Sequence, residues 1–185
     1  MTLTNDVKYP HSEAAEFGQP QEVAAGVYWV RMPLEITGLN HINLWLLQDG
    51  PGWTIVDTGM NTDRIHDLWE GVFADFLGGL PVTRVICTHF HPDHFGLAGW
   101  LTRRFGVPLW MPREEWTQAR MLTLETSETS RGAFGRFYHA AGFDEEMMDA
   151  AKARSGRYAR AVSRAPTSFI RIAEDDEIKI NGRAW

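Results

Sequence analysis

The spacing of apolar positions changes several times along the chain, and each change marks an element. Residues 27–32 and 41–48 are rich in β-branched and aromatic side chains and predict two strands, joined by residues 32–40. Gln48-Asp49-Gly50-Pro51-Gly52 is turn chemistry. The short apolar run at 53–56 then predicts a third strand of an antiparallel meander, ending at Asp57-Thr58-Gly59. Asn61 is placed to cap a helix in which Ile65, Leu68, Trp69, Val72, Phe73, Phe76 and Leu77 recur at helical spacing as one stripe, closed by Gly78-Gly79. Residues 82–87 predict a buried strand, 97–105 a helix and 107–111 another strand, and this alternation defines an α/β class.

From Pro112 to about Ala165 helix formers dominate, with breaks near 130–135 and 142–144, so three helices are expected there. Strands are expected at 168–172 and 177–180, and Asn181-Gly182 is a strong signal for a tight hairpin. Because only Arg183, Ala184 and Trp185 follow, the strand before that turn is expected to be largely unpaired and the chain to stop within a sheet. A homodimer is one way of covering such an open edge. The expected organisation is a loose tail over residues 1–24 and a domain over 25–185 that carries a helical insertion at about 112–165.

A chain of 185 residues that is 44% hydrophobic can bury a real core. Its formal charge of -6, with both signs mixed along the chain, argues against nucleic acid or an anionic membrane as partner and for a small-molecule substrate. The single cysteine, Cys87, allows no intrachain disulfide and sits in an apolar strand, where core packing is its expected role. No run approaches the ~20 apolar residues of a membrane helix, and a cytoplasmic location is expected.

The chemistry concentrates in Thr88-His89-Phe90-His91-Pro92-Asp93-His94-Phe95-Gly96, between a predicted strand and a predicted helix. If strand geometry persists to His91, its period of two puts His89 and His91 on one side, while Pro92 turns the chain and brings Asp93 and His94 round. Imidazole and carboxylate are ligands that zinc and iron accept.

This loop resembles the signature of the metallo-β-lactamase superfamily. The preceding meander, the strand ending in Ile55-Val56-Asp57-Thr58-Gly59 and the helix after Asn61 agree with it over about residues 25–111. The resemblance implies the N-terminal part of a four-layer αβ/βα sandwich with two zinc ions in the complete site, His89 and His91 on the first and Asp93 and His94 on the second. Asp57 would orient the loop, and Asp93 would also help orient the nucleophile. The implied reaction is hydrolysis of an ester, thioester or lactone by metal-held hydroxide, with the glyoxalase-II-like branch as a neighbour. A mononuclear iron, sulfur-dioxygenase-like redox enzyme is the alternative; flavo-diiron proteins, which typically carry glutamate in place of His91, fit less well. The family draws further ligands from its second half, and the chain is expected to stop before them: the only later histidine, His139, lies in a helical-looking segment. A fragment that binds metal weakly and is inactive is therefore a further alternative.

Two other features carry expectations. The apolar connection at residues 32–39, which includes Thr37, is a candidate substrate flap, and the helical segment 112–165 a candidate lid. The basic run Lys152, Arg154, Arg157, Arg160 and Arg164 reads as a solvated helix face.

Overall fold

Alternation along the central strands gives the sheet two apolar faces. In the computed structural model, which describes residues 11, 13–36, 38–124, 127–154 and 156–185, strands β1 (Gln21–Ala24), β2 (Val27–Ile36), β3 (Leu39–Asp49) and β4 (Gly52–Val56) form an antiparallel meander. Strands β5 (Val82–Ile86), β6 (Leu109–Pro112) and β7 (Ile170–Ile172) extend it in parallel, in the order β1-β2-β3-β4-β5-β6-β7. Leu44, Leu46, Ile55, Val85, Leu109 and Met111 face the main core, whereas their neighbours Trp45, Leu47, Val56, Ile86 and Trp110 join a second cluster around Ile180. Successive side chains of a strand point to opposite faces, which accounts for the split.

The main core is covered by helices. The apolar stripe of α1 (Asp63–Gly71) supplies Ile65 and Trp69, and a π-helical turn (Val72–Phe76) adds Val72. The stripe expected as one α-helix therefore changes its winding at Val72. Phe95 comes from α2 (Pro92–Phe95), Leu101 from α3 (Ala98–Phe105) and Ala119 from α4 (Arg113–Leu124). Beyond these lie α5 (Glu128–Ala140), α6 (Glu145–Arg154) and α7 (Arg157–Ala161). Among the described residues four helices thus replace the three expected: Gly132 and Gly135 are tolerated inside α5, Gly142, with φ 86°, breaks the chain as expected, and Gly156, with φ 71°, adds a break between α6 and α7.

Several expectations are corrected at element ends. The connection at 32–40 is mostly strand: β2 runs to Ile36 and β3 begins at Leu39, with Met32, Pro33 and Leu34 buried and the register shifting between Pro33 and Ile36. Thr37 lies outside the described residues. Thr62, not Asn61, caps α1 by accepting from Ile65 N, and Asn61 Oδ1 instead meets His66 Nε2 at 3.0 Å. The N-terminal segment is tied down before residue 24, since Gly18 N donates to Arg31 O at 2.9 Å and β1 pairs with β2.

Asn181-Gly182 does make a hairpin. Both residues have positive φ, 50° and 75°, as a type I′ turn requires. The turn joins β8 (Lys179–Ile180) to β9 (Arg183–Ala184), and Ile178 and Trp185 exchange two further backbone bonds of 3.0 Å, so the first strand is paired after all. Asp49 anchors the turn to the main sheet by accepting from Asn181 N at 3.1 Å. Among the described residues no helix is long and apolar enough to cross a membrane.

Candidate metal centre

Regular strand structure stops at Ile86, and Thr88, His89 and Phe90 form a bend before Pro92 opens α2. The expected continuation of strand geometry to His91 is therefore absent. The bend itself brings the histidines together: His89 Nε2 lies 3.0 Å from His91 Nδ1, and the His89 and His94 ring centroids are 3.9 Å apart. Proline at the first helical position costs no hydrogen bond there, which suits a chain that must leave a strand and turn at once.

The turn after β4 clamps this bend. Asp57 is buried in the left-handed region at φ 59°, a conformation that aspartate tolerates better than most side chains. Its Oδ1 accepts from Thr88 N at 2.8 Å, and its Oδ2 meets Thr88 Oγ1 at 2.9 Å and His94 Nδ1 at 2.8 Å. Thr58 N and Thr58 Oγ1 both donate to the His94 carbonyl, at 2.8 and 2.7 Å, while Leu97 N donates to Thr58 Oγ1 at 3.0 Å. Gly96 passes so close to this turn that an added Cβ would lie 2.4 Å from Gly59 O. The Asp-Thr-Gly turn thus fixes both the backbone and the ring of His94.

Electrostatics separates the imidazoles. Burial, then the neighbouring His94 and His91, holds the His89 pKa below its ordinary value. For His94 burial acts in the same direction but is outweighed by Asp57 and Asp93, so its pKa is raised. Burial, with a smaller contribution from Asp57, pushes the Cys87 thiol well up, in keeping with a core role.

The donor set suits a metal ion in its chemistry. With Nδ1 engaged by Asp57, His94 turns Nε2 toward Asp93 Oδ2 at 3.5 Å. A ligating histidine characteristically gives its other ring nitrogen to a carboxylate in this way. Among the described residues no group of three or more His, Cys, Asp or Glu side chains is arranged to hold a metal ion. The histidine rings of the bend contact one another instead.

The helical segment reaches the same bend through two residues that sequence reasoning did not single out. Phe90 N donates to Glu115 Oε2 at 2.9 Å, and Tyr158 Oη donates to Phe90 O at 2.6 Å. Burial, then Cys87 and Glu115, raises the Tyr158 pKa, so the phenol keeps the proton it donates. No sequence signal marks either residue, because both come from helices whose packing on the loop is tertiary. The rest of the segment is less engaged: His139, Arg157, Arg160 and Arg164 are exposed, and Lys152 and Arg154 lie outside the described side chains. Beside the hairpin tip, a cavity of about 220 Å³ is lined by Pro33, Glu35, Ile36, Met60, Thr62 and Arg64.

Comparison with known proteins follows the same lines. A beta-lactamase domain protein from Burkholderia ambifaria is 37% identical over 96% of this chain and 50% of its own, with a TM-score of 0.78. A metallo-beta-lactamase family protein from Thermus thermophilus shares the fold at 23% identity, covering 88% of this chain and 51% of its own, with a TM-score of 0.68. The chain thus spans about half the length of these two solved proteins. No match was found among curated proteins. The family model of the metallo-beta-lactamase superfamily matches residues 37–179. With the sheet, the clamped histidine bend and this match in agreement, the chain belongs to the metallo-beta-lactamase superfamily, a family of metal-dependent hydrolases.

Proposed function

We propose that this chain supplies ligands to the metal site of a zinc-dependent hydrolase acting on an ester, thioester or lactone of a small molecule. His89 and His91 would hold one ion, and Asp93 and His94 a second. Asp57 would orient His94, and Asp93 would also help to align the attacking water. The observation that carries this reading is the Asp57 carboxylate, which takes up His94 Nδ1 and Thr88 together and leaves His94 Nε2 directed at Asp93.

Zinc, when bound, would supply a Lewis acid for the scissile carbonyl and a means of acidifying water. The chain's own part is to keep the ligands in place. The cavity beside Met60 and Arg64 offers a recess for the non-reacting part of a small substrate, close in sequence to the Asp-Thr-Gly turn.

The test is metal content per chain by plasma mass spectrometry on full-length protein, followed by a hydrolysis screen of thioesters, lactones and simple esters. Stoichiometric zinc with turnover in the screen is the expected result. Stoichiometric iron without hydrolysis would replace this reading by redox chemistry.

A further inference from the structure

We propose that Glu115 and Tyr158 are positioning residues that fix the backbone between His89 and His91 for metal binding. The proposal rests on the reading of those two histidines as ligands. It starts from a gap in the local structure: residues 88–90 lie in a bend beyond β5, so no sheet ladder fixes their peptide groups. One group of each peptide unit that links the two histidines is nevertheless bonded from outside the loop. Glu115 on α4 accepts from Phe90 N, which belongs to the peptide unit joining His89 to Phe90. Tyr158 on α7 donates to Phe90 O, which belongs to the unit joining Phe90 to His91.

Two hydrogen bonds to consecutive peptide units restrain the backbone dihedrals between His89 and His91, and so the directions of their Cβ atoms. The side chains around them limit the freedom that remains. The Phe90 ring lies 4.8 Å from the His91 ring and 6.1 Å from the Tyr158 ring. On α4, Ala119 is fully buried and Trp116 stacks on Phe169 at 4.5 Å, so Glu115 projects from a seated helix. The helical segment therefore acts on the metal loop through its backbone, whatever else it covers.

The experiment uses full-length protein with zinc as the probe, affinity being read by competition with a chromophoric chelator. Tyr158→Phe and Glu115→Ala are expected to bind zinc about tenfold more weakly, the lower end of the range for residues that orient ligands. Glu115→Gln, which keeps an acceptor for Phe90 N, is expected to stay within about twofold of wild type. In the metal-free protein the Phe90 amide should exchange with deuterium faster in the two weakened variants, and the visible spectrum of the cobalt-loaded Tyr158→Phe protein should shift. Wild-type affinity in both variants, alongside a clear loss in His91→Ala, would overturn the positioning role and leave the metal reading intact. Equal losses in Glu115→Gln and Glu115→Ala would overturn it too, as a general charge effect. Undiminished zinc binding by His89→Ala and His91→Ala would remove the metal reading, and the proposal with it.

Discussion

Asp57 serves three donors from a backbone conformation that few residues adopt, and that concentration of roles makes it the most sensitive single position of the centre. Asp57→Ala leaves Thr88 N and His94 Nδ1 without their acceptor in a partly buried place, a cost of about 1 kcal/mol, and is expected to weaken zinc binding by about tenfold or more. Urea denaturation and chelator competition measure the two effects separately. Unchanged zinc affinity in a destabilised Asp57→Ala protein would confine the residue to a structural role. Gly96 tests the same clamp from the other side. An alanine Cβ there would meet Gly59 O and Pro92 O at 2.4 Å and Asn61 N at 2.8 Å, all backbone atoms that cannot step aside cheaply. Gly96→Ala is expected to lower stability by about 2 kcal/mol or more, read from the shift of the urea midpoint.

Between elements, two side chains join parts that the chain order keeps apart. Trp69 is fully buried under the sheet and donates Nε1 to Thr58 O at 2.8 Å, so α1 is pinned to the turn that clamps the histidines. Trp69→Ala should destabilise by about 3–5 kcal/mol, whereas Trp69→Phe, which keeps most of the ring, should cost far less; equilibrium unfolding compares them. Asp49 ties β3 to Thr83 and Arg84 of β5 and to Asn181 of the hairpin. Burial acts to raise its pKa, but the Thr83 hydroxyl, the Asn181 amide, Arg84 and Thr54 outweigh it, so the folded value lies below the ordinary 3.8. A depressed carboxylate stabilises the fold when ionised; that contribution is complete above the unfolded pKa and is lost as pH falls through the folded one. Stability should therefore drop below about pH 4, and Asp49→Asn should flatten that acid limb while lowering stability at neutral pH. An acid limb of the same slope in both proteins would show that Asp49 does not carry it.

For the molecule as a whole, metal binding and folding should be linked. The proposed ligands all sit in one loop held by α1, α4, α7 and the end of β4, so an ion that binds only the folded arrangement must stabilise it. Zinc at a hundredfold excess over its dissociation constant is expected to add about 2.7 kcal/mol, visible as a rise in melting temperature that a chelator reverses. His91→Ala should abolish the rise, and a rise of equal size in that variant would place the zinc elsewhere. The sheet that carries the loop is apolar on both faces. Helices cover one face, while the β8–β9 hairpin brings Ile180 to the cluster on the other.

The α/β class, strands β2 to β6, helices α1 and α3 and the run of histidines in the loop are legible in the sequence, because each is written locally, whereas β1, inside the expected tail, and α2 are not. Period-two and helical spacing report burial directly, and His89, His91, Asp93 and His94 fall within six consecutive positions. Asp57 was legible only through its place at the end of a strand in a recognisable turn. Cap identity, the π-helical turn at Val72 and the extension of the β2–β3 hairpin were not legible, since they depend on which of several adequate local choices packs best. Glu115 and Tyr158 mark the furthest limit: nothing near them in the chain distinguishes them from other polar residues of exposed helices. Only the seating of α4 and α7 beside the bend brings them to Phe90, because a backbone group outside regular structure takes its partner from whatever the tertiary fold places within reach.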